Sequence, residues 1–363
     1  MCFARLKDMH LFRRSTLALA LLCGMRAVAQ GPSATGQRPI PVKAVVVTMF
    51  EIGKDTGDAP GEFQYWVERE HLNHRYALPA AYHDALMNDD GVLGIVTGMG
   101  TLRASSTIMA LGLDPRFDLS HAYWIVAGIG GIDPQAGTLG SAVWSDWIVD
   151  GDYAYEFDAR EIPKDWSTGY VPLRKKTPYE EPRTDDNGMA FQLNSKLVDW
   201  AVRQTEHTPL MDLPGLQERR LQFAGDAAHT APRVQRGTAM SSSTYYHGRK
   251  LSEWARAWVR YQTGGKGTYA ISGMEDSGTL YSLSQLAKTG RVDMNRVLVL
   301  RTASNFDQQP ASEPLADEAF SSKIASYSAL QPSLENAFRV GDAVVHELVQ
   351  GWPKYRDTVP AAQ

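Results

Sequence analysis

Met274-Glu275-Asp276-Ser277-Gly278 sits where an apolar strand gives way to a helix. A carboxylate at such a junction is buried on one side and faces a cleft on the other. It can equally be a helix-start acid that meets the macrodipole. Gly98-Met99-Gly100 stands at a second strand-to-helix junction. Its backbone N–H groups offer a site for an anion or a hydroxyl, although glycine turns also serve simply to let chains pass close. Arg301-Thr302-Ala303-Ser304-Asn305-Phe306-Asp307 ends a third strand. Polar groups at the carboxyl ends of strands fall on one rim of an α/β sheet. Turn chemistry explains Ser, Asn and Asp there just as well. Gly128-Ile129-Gly130-Gly131, before Asp133-Pro134, reads as a structural glycine turn.

Hydrophobic periodicity supplies the elements that must hold these residues. Lys43 to Phe50, Gly91 to Thr97, Tyr123 to Ala127, Tyr269 to Gly273 and Val297 to Arg301 read as strands. Tyr65 to Leu72, Thr101 to Leu113, Ser195 to Thr205, Leu213 to Phe223, Met274 to Lys288 and Leu330 to Gln350 read as helices. Lys250 to Gln262 is amphipathic, with Trp254 and Trp258 four apart on the inner face. Gly140 to Asp158 reads as extended, partly antiparallel chain. The stretch from about 158 to 190 is a polar surface excursion, and Arg233 to Tyr246 is a polar Gly/Ser/Thr segment. Strand, glycine turn and helix alternate through the first half, which indicates an α/β sheet.

Several chemistries are excluded. The net charge is −4, and Arg174-Lys175-Lys176 is a short cluster among prolines, so nothing marks a nucleic-acid partner. No Gly-x-Gly-x-x-Gly, phosphate-loop or Gly-x-Ser-x-Gly motif occurs. His71 and His74 have no convincing metal set around them, and no metal is expected. The two cysteines, Cys2 and Cys23, both precede the expected mature start near Gln30, so no thiolate chemistry is open to the mature chain.

The first 29 residues resemble a signal peptide: Arg13 and Arg14, an apolar run from Leu17 to Cys23, then Ala27-Val28-Ala29. Residues 30–41 read as a linker. The expectation is export to the periplasm or outside the cell. The later apolar stretch from Ala122 to Ile132 is too short for a span, so the mature chain is expected to have no membrane crossing.

Taken in order, these segments resemble the nucleoside phosphorylase and nucleosidase superfamily. The resemblance rests on Gly94 to Gly100 with Ala104, Ala127 to Pro134, Met274-Glu275, and Arg301 to Asp307. Met49-Phe50-Glu51, Gly57 to Glu62 with Trp66, and Ser272 to Leu283 are more closely similar to the purine nucleoside permease family. The resemblance implies one three-layer α/β/α domain over 42–355, with a mixed central sheet of the nucleoside phosphorylase kind. It implies purine nucleosides as ligands, and no cofactor beyond phosphate as co-substrate if the reaction is phosphorolysis. Glu275 would grip the ribose hydroxyls with Met274 on the sugar, and Gly98, Met99 and Gly100 nearby. Asn305 would orient the base, or Asp307 would act as acid. Tyr245, Tyr246 and Phe306 are candidates for stacking on the purine, with core packing the alternative for Phe306. Glu51 would position water, which favours hydrolysis. Phosphate in a cradle of Thr238 to Thr244 with Arg236 or Arg233 is the alternative, and a non-catalytic uptake component is the third. A homo-oligomer is expected, with His247 a candidate contact or a core residue.

Overall fold

Every residue of β1 (Ala44–Thr48) is buried, as expected of a strand covered on both faces. The same holds for β4 (Val92–Val96) and β10 (Val297–Phe306). The computed structural model describes residues 38–178, 181–182, 189–315 and 329–362. The signal-peptide reading of 1–29, both cysteines and most of the 30–41 linker lie outside the described residues. Ile40–Pro41, read as linker, pairs in parallel with Phe117–Asp118.

Ten strands form the main sheet. Besides β1, β4 and β10 these are β2 (His74–Tyr76), β3 (Ala85–Met87), β5 (Tyr123–Ile132), β6 (Ala142–Asp150), β7 (Ala190–Gln192), β8 (Val234–Ser241) and β9 (Tyr269–Gly273). Their order is β7-β6-β8-β9-β5-β1-β4-β3-β2, and β10 pairs with both β5 and β6. The pairing β5-β9-β8-β6-β10 therefore closes on itself. The sheet is mixed: β1 is parallel to β4 and β5, while β9 runs antiparallel to β5. The expected α/β fold with a mixed central sheet is what the chain adopts.

Helix α1 (Gln64–Arg69) follows β1, and α2 (Thr101–Gly112) follows β4. Helix α3 (Ser195–Thr205) starts on Asn194, whose side chain accepts from the Lys196 N–H. Trp254 and Trp258 of α4 (Arg249–Gln262) are buried, as their spacing required. Helix α5 (Asp276–Ala287) packs on α2, and α6 (Leu330–Gln350) lies along β5 and β10.

Two readings need correction. Gly128 to Gly131 is not a turn but the second half of β5, held by β10 in the register Gly128↔Arg301 to Ile132↔Phe306. The polar segment from Arg233 contains strand β8. Its Thr238 and Ser241 are fully buried, so the apolar signal that identifies a buried strand was missing there.

Candidate active site

The glycine turn after β4 needs backbone that side chains disfavour: Gly98 and Gly100 have φ of 78° and 93°. This geometry aims the Gly100 N–H at Glu275 Oε1, 3.1 Å away. Glu275 is the N-cap residue of α5, yet its side chain makes no cap bond. Its Oε2 instead accepts from Arg301 Nη2 at 3.0 Å and from its neighbour Met274 N–H at 3.2 Å. The helix-start reading thus belongs to Asp276, whose carboxylate takes the Arg301 Nε at 3.1 Å. Glu275 is turned into an open-mouthed cavity whose wall also includes Glu62, Arg301, Met274, Tyr245 and Tyr246.

One end of this cavity is charged. Glu62, on the loop before α1, is buried, and its two oxygens accept the Met49 and Ile129 N–H groups, each at 2.7 Å. Burial pushes its carboxyl up to about 8. Arg301 opposes that shift and the Glu275 charge adds to it. Glu275 is also raised, first by burial; Arg301 opposes this and Asp276 adds to it. Burial disfavours the Arg301 charge, but Asp276 and Glu275 more than offset it, so its pKa is raised. Every nitrogen of Arg301 is used: Nε on Asp276, Nη1 on the Ile129 carbonyl at 2.9 Å, Nη2 on Glu275 and Asp276. Among the described residues lining the cavity, Arg301 is the one cation.

The other end is neutral, formed by Tyr245, Tyr246, Ser272 and Ser304. Ser304 faces inward because the ladder between β5 and β10 slips between Ala303 and Asn305, a bulge that re-aims a side chain. Strand β5 joins the two ends: its Ile129 N–H donates to Glu62 at one and its Gly131 N–H to the Ser272 hydroxyl at the other.

Of the expected site residues, Met99, Tyr245, Tyr246, Met274 and Glu275 line the cavity, and Gly100 touches Glu275. Gly98 is outside the wall. Asn305 is one step behind it: its Nδ2 donates to Tyr245 Oη at 3.2 Å and to the Phe306 carbonyl at 2.8 Å. Phe306 is core, 4.1 Å between centroids from Phe223, so it does not stack on a ligand. Asp307 is buried behind the wall on Tyr269 Oη, at 2.8 Å.

Glu51 is a clear correction. Its carboxylate accepts the N–H groups of Ile52, Gly61, Phe63 and Gln64, so it ties down the loop that starts α1. It is not among the cavity residues; the acid that the Met49-to-Glu62 segment brings there is Glu62. The phosphate cradle also disperses. Arg236 pairs with Asp146 and Asp199, and Arg233 reaches Thr230 and the Ala136 carbonyl. The Ser242 hydroxyl and Ser243 N–H are both taken by Asp152.

Arg301 escaped the sequence-based choice of site residues, although a lone charge inside Val297 to Leu300 and Thr302 to Ala303 was a signal. A fully buried charge must find partners. Gly128 escaped as well. A Cβ there would stand 2.7 Å from Glu62 Oε1, 2.9 Å from Arg301 Nη1 and 2.9 Å from Met49 Sδ. Gly128→Ala is therefore expected to cost about 1–3 kcal/mol of stability by overpacking. It should cut turnover about tenfold or more by moving both charged groups. Thermal melts and steady-state kinetics on the same preparation check both effects, and wild-type turnover would separate the β5 glycines from the site.

Comparison with known proteins shows the family and supports the fold. The family description "Purine nucleoside permease (NUP)" matches residues 41–360. A purine nucleoside permease of Candida albicans is 29% identical over 320 residues, covering 86% of this chain and 76% of that protein. A probable purine nucleoside permease of Schizosaccharomyces pombe is 26% identical over 267 residues, covering 71% and 76%. Among solved structures, the futalosine hydrolase of Helicobacter pylori superposes with a TM-score of 0.50 at 11% identity. That match covers 84% of this chain and 98% of the hydrolase, and it supports the fold.

Proposed function

The chain belongs to the purine nucleoside permease family, and we propose that it binds purine nucleosides and cleaves their N-glycosidic bond with water. The observation that carries this reading is the charged end of the cavity. Glu275 and Glu62 flank a guanidinium whose nitrogens are all engaged. Breaking a purine–ribose bond builds positive charge on the sugar. Glu275, holding the ribose hydroxyls, stabilises that charge most where it develops. Met274 packs on the sugar. Glu62 has one lone pair left on each oxygen beyond its two backbone bonds. It is placed to accept the proton of an attacking water. The neutral end takes the base: Tyr245 and Tyr246 cover it, and Asn305 orients it through Tyr245. The departing purine takes its hydrogen bond from these neutral groups, because Asp307 does not reach the cavity wall.

Phosphorolysis is less well supported. A phosphate dianion would meet two acidic side chains, Glu62 and Glu275, and no uncommitted cation among the described residues of the cavity wall. Among the described residues no helix is long and apolar enough to cross a membrane, so a transport role would need a partner that forms the path. The signal-peptide reading of residues 1–29 supports placing this chemistry outside the cytoplasm, as part of the same proposal.

The test is purified protein with inosine, guanosine and adenosine, with and without phosphate. Free ribose released without phosphate is the expected product. Ribose 1-phosphate would replace hydrolysis with phosphorolysis, and tight binding with no base release would leave only an uptake component.

A further inference from the structure

The neutral end of the cavity is covered by a strap that runs from Ser242, after β8, to Gly248, before α4. It brings Thr244, Tyr245 and Tyr246 into the cavity wall. Its two ends are fixed by backbone bonds. The Ser242 N–H donates to the Gly273 carbonyl at 3.0 Å, and the Gly248 N–H to the Asp307 carbonyl at 2.9 Å. Between them Ser243, Thr244 and Tyr245 are exposed. Burial does not fix the course of such a segment, so hydrogen bonds must.

Asp152 supplies them. Asp150 Oδ1 accepts the Asp152 and Tyr153 N–H groups, each at 2.9 Å, which turns the chain at the end of β6. The Asp152 carboxylate then accepts the Ser242 hydroxyl on Oδ1 at 2.5 Å and the Ser243 N–H on Oδ2 at 2.7 Å. Hydrogen bonds to a charged acceptor are short and about twice as strong as neutral ones. The Ser242 oxygen in turn accepts the Thr244 N–H at 3.1 Å. The Ser243 hydroxyl accepts the Thr101 N–H at 3.0 Å and lies 2.7 Å from the Thr101 hydroxyl. That ties the strap to the first residue of α2. Asp152 itself stands behind the strap. It lines a second pocket that shares Thr244 and Tyr246 with the cavity, and it is not part of the cavity wall.

We infer that Asp152 is a positioning residue for recognition of the base: through Ser242 and Ser243 it holds Thr244 and Tyr245 over the base end of the cavity without touching the ligand. The inference rests on the purine nucleoside reading of that cavity. The charged end does not depend on the strap. Glu62 is held by the Met49 and Ile129 N–H groups, and Glu275 by Gly100, Met274 and Arg301. Loosening the strap therefore weakens a contact that the bound nucleoside and the transition state share. A loss of that kind raises KM and leaves kcat in place.

The experiment compares the full chain with Asp152→Ala, Asp152→Asn and Ser242→Ala. It uses steady-state kinetics of the better of inosine and adenosine, and calorimetric binding of the corresponding free base, all at one pH. Asp152→Ala is expected to raise KM about tenfold or more, the effect of losing one charged hydrogen bond. Affinity for the free base should fall by a similar factor, with kcat within a few-fold of wild type. Asp152→Asn should restore both. Its Oδ1 can accept the Ser243 N–H and its amide can donate to the Ser242 oxygen, whose proton then turns to the Thr244 carbonyl 3.0 Å away. Ser242→Ala removes the hydroxyl between Asp152 and Thr244, so it should move KM in the same direction, and the two losses should not add in the double variant. It also carries the test if Asp152→Ala folds poorly, which near-ultraviolet circular dichroism checks. Wild-type KM and base affinity in the folded variants overturn the inference and leave the purine reading standing. So does a loss that falls on kcat, or one that Asp152→Asn does not repair. Binding of neither nucleoside and neither base to the wild type overturns the purine reading itself, and this inference with it.

Discussion

Glu275→Gln is expected to lower turnover by about 10²–10³-fold while the protein still folds. The size follows from where the charge is needed. A carboxylate on the ribose hydroxyls matters little while the sugar is neutral and much once it becomes cationic, so the loss should fall on kcat and not on nucleoside affinity. Folding should survive because Gln keeps an oxygen for the Gly100 N–H, although its amide N–H then faces Arg301 Nη2 and the Met274 N–H at a cost of about 1–3 kcal/mol. Arg301 also keeps its stronger partner, Asp276. Asp276→Asn gives the contrast. Asp276 is fully buried and does not line the cavity, and its loss strips Arg301 of most of its neutralisation. Breaking a buried pair of this kind costs about 3–5 kcal/mol. Kinetics and thermal melts of the two variants should therefore separate, with Glu275→Gln inactive but stable and Asp276→Asn unstable. Turnover at the wild-type level in Glu275→Gln would remove Glu275 from the chemistry.

The division between what the sequence disclosed and what it hid has physical causes. Strands β1 and β4 and helix α6 were plain because their burial is apolar and periodic. Strand β8 was hidden because Gly237, Thr238 and Ser241 interrupt its buried apolar positions, with Thr238 satisfied by a distant partner, Asp146, whose Oδ1 accepts from it. The Met-Glu pair was legible as a motif, but the choice between cap and site needed the coordinates, since both place an acid at a helix start. Glu51 and Glu62 are eleven residues apart on one loop, and residue type alone does not say which faces inward. Backbone hydrogen bonds decide it. Glu51 collects four N–H groups of its own loop. Glu62 bridges β1 to β5 and is left with its free lone pairs at the cavity. Purine contacts were over-assigned for a related reason. Phe306 and Asp307 stand next to the bulge at Ser304, and that slip decides which side chains of β10 reach the ligand.

Glu62→Gln should abolish hydrolysis, by about 10²–10⁴-fold, the range for loss of a general base, while nucleoside binding stays within a few-fold of wild type. The pH dependence sharpens this, because a base works only when ionised. With its carboxyl pushed up to about 8 in the free enzyme, kcat/KM should climb with pH and level off above about 8. The sign for stability is opposite. The folded-state value lies above the ordinary 4.5, so between those two values the folded protein binds more protons than the unfolded chain. The Glu62 contribution to stability is therefore largest at acid pH, declines as pH rises toward about 8, and is flat beyond. Activity and stability should thus move in opposite directions across this window, and Glu62→Gln should lose both slopes at this site. The substitution also leaves one of the two N–H groups, Met49 or Ile129, facing an amide N–H, at a cost of about 1–3 kcal/mol. Parallel pH series of kcat/KM and thermal midpoint on both proteins test the assignment. A wild-type rate in Glu62→Gln, or a rate that falls as pH rises from 6 to 8, would show that water is activated by another group.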